Sequence, residues 1–156
     1  MATVNQALSN ANLANQEQVA TTSVKVMTTL DTFFTASGDV QILSLHSECI
    51  ATGTPAASTI QYKITPTVGT DTTISAASAS LVSAVLGTTV VLNGTTVSTA
   101  PDILVAGPAL GTTTARPIIF PAGVLKIVIG TGPTTGTWRH YLRYRPLENG
   151  AFVTGS

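Results

Sequence analysis

The chain has 156 residues, with seven basic and seven acidic side chains and only 9% charged residues, where an ordinary globular protein carries about 25%. A net charge of zero gives no global field to gather nucleic acid or an anionic membrane, so neither is expected as a partner. The single cysteine, Cys49, excludes an intrachain disulfide framework and leaves stability to packing.

The first twenty residues are rich in Asn, Gln and Ala, and Val4, Ala7, Leu8, Ala11 and Ala14 recur at helical spacing. A short helix or arm is therefore predicted over 1–20, with Thr3 and Gln6 placed to form a capping box at its start. Its apolar stripe is too thin to stand alone in water, so the arm is expected to dock on something. The opening MATVNQALSN has neither the basic region nor the apolar run of a signal peptide, and no later stretch approaches the roughly eighteen apolar residues of a spanning helix. Synthesis in the cytoplasm as a soluble chain is the expectation.

From Thr21 the pattern changes to β-branched residues alternating in period two, and 21–156 reads as one β-sandwich domain. Strands are predicted at Ser23–Phe34, Val40–Ile50, Thr59–Thr67, Ser80–Leu86, Thr88–Leu92, Thr95–Thr99, Ile103–Ala106, Pro117–Phe120, Val124–Ile129 and Thr137–Arg145. Asn93-Gly94 fits the two positive φ angles of a type I′ turn, which predicts a hairpin between Thr88–Leu92 and Thr95–Thr99. Short strands at regular spacing, with Gly, Pro and Thr between them and no helical pattern, predict an all-β fold, an antiparallel β-sandwich or jelly roll with a short N-terminal arm or helix. Lys25, Lys63 and Lys126 are the only lysines, so little of the usual charge protection of sheet edges is expected.

Few residues carry reactive chemistry. In LHSECI, His46 and Glu48 share one face of a strand and Cys49 points to the other, so the three cannot converge as metal ligands or a nucleophilic centre. Gly130-Thr131-Gly132-Pro133-Thr134-Thr135-Gly136 resembles a phosphate loop in composition only, because a strand follows where a helix N-terminus would be needed. It reads instead as a hairpin connection between Val124–Ile129 and Thr137–Arg145. No pair of acidic residues stands close enough in sequence to suggest an acid/base couple, and two lone histidines give no support to a serine triad. No catalytic residues, cofactor or metal are assigned, and the chain reads as a structural or binding component.

The segment TWRHYLRYR is the most informative. Trp138, His140, Leu142 and Tyr144 fall on one face, and Arg139, Tyr141, Arg143 and Arg145 on the other. Arginine and tyrosine in a row are what protein–protein contacts use for energy. The same chemistry reads RNA on some sheets, but no second basic cluster accompanies it here.

The run Phe120-Pro121-Ala122-Gly123-Val124-Leu125-Lys126-Ile127, then Thr135-Gly136-Thr137-Trp138 and Tyr144-Arg145-Pro146-Leu147 before Glu148-Asn149-Gly150-Ala151, resembles the C-terminal part of small virion structural proteins of tailed bacteriophages. The resemblance implies a non-enzymatic virion component. Its leading form is a capsid decoration or cement protein that stabilises the head by bridging capsid subunits, found at the capsid surface after synthesis in the host cytoplasm. A neck or tail structural protein is the alternative, and a sugar- or receptor-binding β module is the alternative from another class. Implied partners are the major capsid protein or other virion proteins, with a homo-oligomer, first a trimer, by lattice symmetry. The contacts are expected from the arm, through Val4, Leu8 and Leu13, and from the strand face bearing Arg139, Tyr141, Arg143 and Arg145.

Overall fold

A computed structural model describes residues 16–52, 57–82, 84–92, 97–105, 117–130 and 136–156. Its strands are β1 (Gln18–Thr21), β2 (Lys25–Val26), β3 (Thr32–Ala36), β4 (Val40–Ala51), β5 (Thr59–Pro66), β6 (Thr72–Thr73), β7 (Thr89–Val91), β8 (Asp102–Leu104), β9 (Ile118–Phe120), β10 (Gly123–Gly130), β11 (Thr137–Pro146) and β12 (Val153–Gly155). They form two antiparallel sheets. The larger runs β1-β11-β4-β7-β8, with β2 continuing β1 along β11 and β9 lying beside the first half of β4; the smaller runs β12-β3-β10-β5-β6. The all-β sandwich expected from the period-two pattern is what forms.

Alternation writes the core directly. Trp138, His140, Leu142 and Tyr144 of β11 face inward against Ile60, Tyr62 and Ile64 of β5 and Leu125 and Ile127 of β10, in one contiguous buried cluster with Phe34, Ile42, Leu45 and Phe120. Each fully buried large side chain contributes about 1.5–3 kcal/mol, so the inner layer holds the sheets together without disulfides. Three β-bulges adjust the register. One makes Leu43 an extra residue in β4, between the Arg143–Ser44 and Tyr144–Ile42 pairs, another does the same at Ile50, and the third falls at Phe33 in β3. The last allows consecutive residues, Phe33 and Phe34, both to be buried, which a regular strand forbids.

Several boundaries differ from the sequence reading. Residues 18–20, expected in the helical arm, are strand β1, because Ala20 faces Leu142 in the core and Gln18 Oε1 accepts a hydrogen bond from the Tyr144 hydroxyl. Residues 1–15 lie outside the described residues. The expected strand Ser23–Phe34 is two strands in different sheets, divided by a turn in which Leu30 takes φ 65° and Asp31 N donates to Thr28 O. Described residues of Ser80–Leu86 form turns rather than a strand. Leu81 N bonds Ser58 O, Ala84 N bonds Leu81 O and Val85 N bonds Thr88 Oγ1, which leaves no ladder.

Likewise, Val97–Thr99 is turn and bend, and β7 takes β8 as its antiparallel neighbour in place of Thr95–Thr99; Asn93 and Gly94 lie outside the described residues. The expected hairpin between β10 and β11 is absent, since the two strands belong to different sheets and the chain crosses the sandwich between them.

The sheet edges are covered by other means than lysine. Along β5, beyond the short β6, the N–H groups of Ile60 and Tyr62 donate to the hydroxyls of Ser78 and Ser75, so a non-strand segment occupies the edge with side-chain acceptors. At the other side of the sandwich the two sheets meet: Ser23 N and Ser23 Oγ both donate to Ser156 O, and Lys25 Nζ donates to Ser156 Oγ. Gly155 lies against the main chain of Thr21 and Thr22 so closely that no side chain fits there. The remaining edge strands, β8 and β9, are three residues each and stand beside Pro101, Pro117 and Pro121, which cannot extend a ladder.

Candidate functional site

The outward face of the larger sheet collects the charged and aromatic side chains. Alternation along β11 turns Arg139, Tyr141, Arg143 and Arg145 outward, and the register places Glu48, His46, Ser44 and Gln41 of β4 opposite them. On the other flank Thr21 lies opposite Tyr141 and Val19 opposite Arg143. The His46 and Tyr141 rings stack with centroids 4.7 Å apart and planes 14° from parallel. Tyr141 then donates its hydroxyl to Glu48 Oε2 at 3.2 Å. Burial pushes the His46 pKa below the ordinary histidine value against the opposing pull of Glu48, so the stacked ring is neutral at pH 7.

Arg143 Nε lies 3.2 Å from Glu17 Oε2, and Arg145 Nη2 lies 3.8 Å from Glu17 Oε1. These are charge pairs without hydrogen-bond alignment at either Nε, and at this exposure each stabilises by only ~0.2–1 kcal/mol. Two of the arginines expected to make contacts with a partner therefore have a carboxylate within the chain. Glu17 is the only acidic residue before β1, and that position was the signal available in the sequence. Arg139, opposite Glu48, makes no ion pair among the described residues and keeps its guanidinium available beside the aromatic stack. Val4, Leu8 and Leu13 lie outside the described residues.

A second cluster went unread in the sequence. Between the sheets, Ser47 Oγ of β4 is 2.6 Å from His140 Nδ1 of β11 and 3.1 Å from the Tyr62 hydroxyl of β5. All three residues are at most 1% exposed. The alternation had put His140 on the core face, but nothing in the sequence named Ser47 or Tyr62 as its partners. A serine hydroxyl bonded to an imidazole has the makings of a nucleophile and base, yet here the hydroxyl is buried away from any substrate, and among the described residues no carboxylate orients the ring. Burial raises the Tyr62 pKa to about 12 and lowers that of His140 to about 3, so both are neutral at pH 7.

Cys49 is buried and unpaired, as its position opposite His46 and Glu48 requires, and burial pushes its thiol up. Among the described residues no three His, Cys, Asp or Glu side chains converge to hold a metal ion. No family model, curated protein or solved structure matches the chain.

Proposed function

We propose that the chain is a virion structural protein of the tailed-bacteriophage kind, a non-enzymatic decoration or cement protein on the capsid that bridges shell subunits. The observation that supports this reading best is the outward face of β11 and β4. It is a half-buried array in which Arg139 and the Tyr141–His46 stack stand ready for a partner, with Arg143 and Arg145 paired beside them with Glu17. Such residues supply binding energy at protein–protein contacts, and Arg139 matches a carboxylate with a forked pair of hydrogen bonds.

Each contact can be weak and the bound state still strong, because copies linked as a homo-oligomer, first a trimer, rebind on a repeating lattice at high effective concentration. The sugar-binding alternative needs aromatic faces open to solvent for sugar rings, and Trp138 is 1% exposed and faces the core. Heating particles with and without the protein tests the cementing role. A higher rupture temperature in decorated particles is expected, and equal temperatures at full occupancy would remove that role. Copy number separates the alternatives, with hundreds per particle expected for the shell and a handful for a neck or tail.

A further inference from the structure

We propose that the Tyr62–Ser47–His140 chain is an acid-sensitive clasp between the two sheets, closed while His140 is neutral and forced open when its ring takes a proton. The geometry fixes how the clasp is wired. Ser47 Oγ touches both His140 Nδ1 and the Tyr62 hydroxyl. With the proton of neutral His140 on Nε2, Tyr62 donates to Ser47 and Ser47 donates to Nδ1, so both hydroxyls and Nδ1 are satisfied. In the opposite tautomer Nδ1–H donates to Ser47 Oγ, so one of the two hydroxyl protons, that of Ser47 or that of Tyr62, has no acceptor in the chain, and Nε2 is left bare as well. Hydrogen-bond satisfaction therefore selects the Nε2–H form, and Nε2 is the one member without a partner among the described residues.

Protonation breaks this arrangement. A cationic ring must donate from Nδ1 to Ser47 Oγ, which can no longer donate back, so one hydroxyl proton of the Ser47–Tyr62 pair loses its acceptor, and the ring's Nε2–H still has none. Among the described residues no anionic group offsets the charge. The Phe33 ring of β3 lies 4.0 Å from the imidazole, and Lys25 of β2 holds its ammonium 5.0 Å from the Phe33 centroid. The charged or titratable neighbours acting on His140 are Lys25 and His46, both of which oppose a further positive charge, and Tyr62, which stays neutral. Among the described residues no carboxylate shares the site. The proton is accommodated only when the sheets part and water reaches the ring.

The sign follows from the direction of the shift. The folded pKa, about 3, lies below the unfolded value of 6.5, so the stabilisation is complete above pH 6.5 and is lost as pH falls toward 3. Between those limits the unfolding constant gains a factor approaching ten per pH unit from this one group.

Urea denaturation of the intact chain and of His140→Gln, which keeps an acceptor for Ser47 but cannot titrate, tests the clasp from pH 7.5 to 4. The ratio of their unfolding constants is expected to rise by close to tenfold per unit below pH 6.5, and a ratio that stays constant overturns the proposal. Should His140→Gln not fold, nitrogen NMR of the unaltered protein serves in its place. His140 is expected to remain the neutral Nε2–H tautomer down to pH 4, and a ring that titrates near 6.5 with the fold intact overturns the clasp.

Discussion

Gly155→Ala should open the side of the sandwich where the two sheets meet. An added Cβ would fall on the carbonyl of Thr21 and within 2.9 Å of Thr22 N, all main-chain atoms that cannot swing aside as a side chain would. Either β12 or the β1 end must retreat. Retreat breaks the two bonds from Ser23 to Ser156 O and the one from Lys25 Nζ to Ser156 Oγ. At ~0.5–1.5 kcal/mol for each bond, taken at the low end for exposed groups, and with about 1–2 kcal/mol of overpacking, the loss is about 3 kcal/mol. For a domain of this size that lowers Tm by about 6–12 °C. Gly150→Ala is the control: Gly150 has φ +83° but nothing within 4 Å of an added Cβ, so only the backbone conformation costs, about 1–2 kcal/mol. Thermal unfolding followed by Trp138 fluorescence, with hydrogen exchange at Ser23 and Ser156, separates the two. If Gly155→Ala is no worse than Gly150→Ala, or leaves exchange at Ser23 unchanged, the close approach does not hold the sheets together.

Other substitutions probe separate parts of the molecule. Tyr62→Phe removes the donor to Ser47 and should cost about 1 kcal/mol in urea unfolding, and a neutral result would mean that Ser47 finds another donor. Ser75→Ala and Ser78→Ala each leave a β5 N–H unpaired, so each should cost about 1–3 kcal/mol, and the double variant should self-associate on concentration, which light scattering would detect. Arg139→Ala with Tyr141→Ala also removes the stack on His46 and the bond to Glu48, so it should cost about 1–2 kcal/mol and lower Tm by about 2–8 °C, while lowering occupancy on particles well below that Tm; undiminished occupancy would exclude this face as the contact.

The parts of the fold legible in the sequence were those governed by period two. The faces of β11 were assigned correctly residue by residue, as was the inward turn of Cys49, because alternation is local. Pairing was harder. Asn93-Gly94 suggested a partner immediately downstream, whereas β7 uses β8, whose register is set by Val90 and Ile103 meeting over the core. The crossing between β10 and β11 escaped for a similar reason. A Gly-rich loop looks the same whether the chain returns in one sheet or changes sheets, and only the demand that Leu125, Ile127 and Trp138 share one core decides. At the candidate site the arginine row was visible, but Glu17 beside it was not. The Ser47–His140–Tyr62 chain joins residues 15 and 93 positions apart, beyond any local pattern.

The bond between Ser23 and Ser156 joins residues 133 positions apart. Closing a loop of that length costs about 4 kcal/mol in chain entropy, to be met before the contact returns anything. A pairing so distant has no means of forming early. Lengths such as β10 with β5, or β11 with β4, must already be in place to bring the two strand ends within reach. During synthesis the order is stricter still, since the bonds of Ser23 cannot form until residue 156 is made. A nascent chain thus stays open to its neighbours at least until β12 is made, and slow translation of β12 should lower the yield of folded protein more than an equal pause within β4.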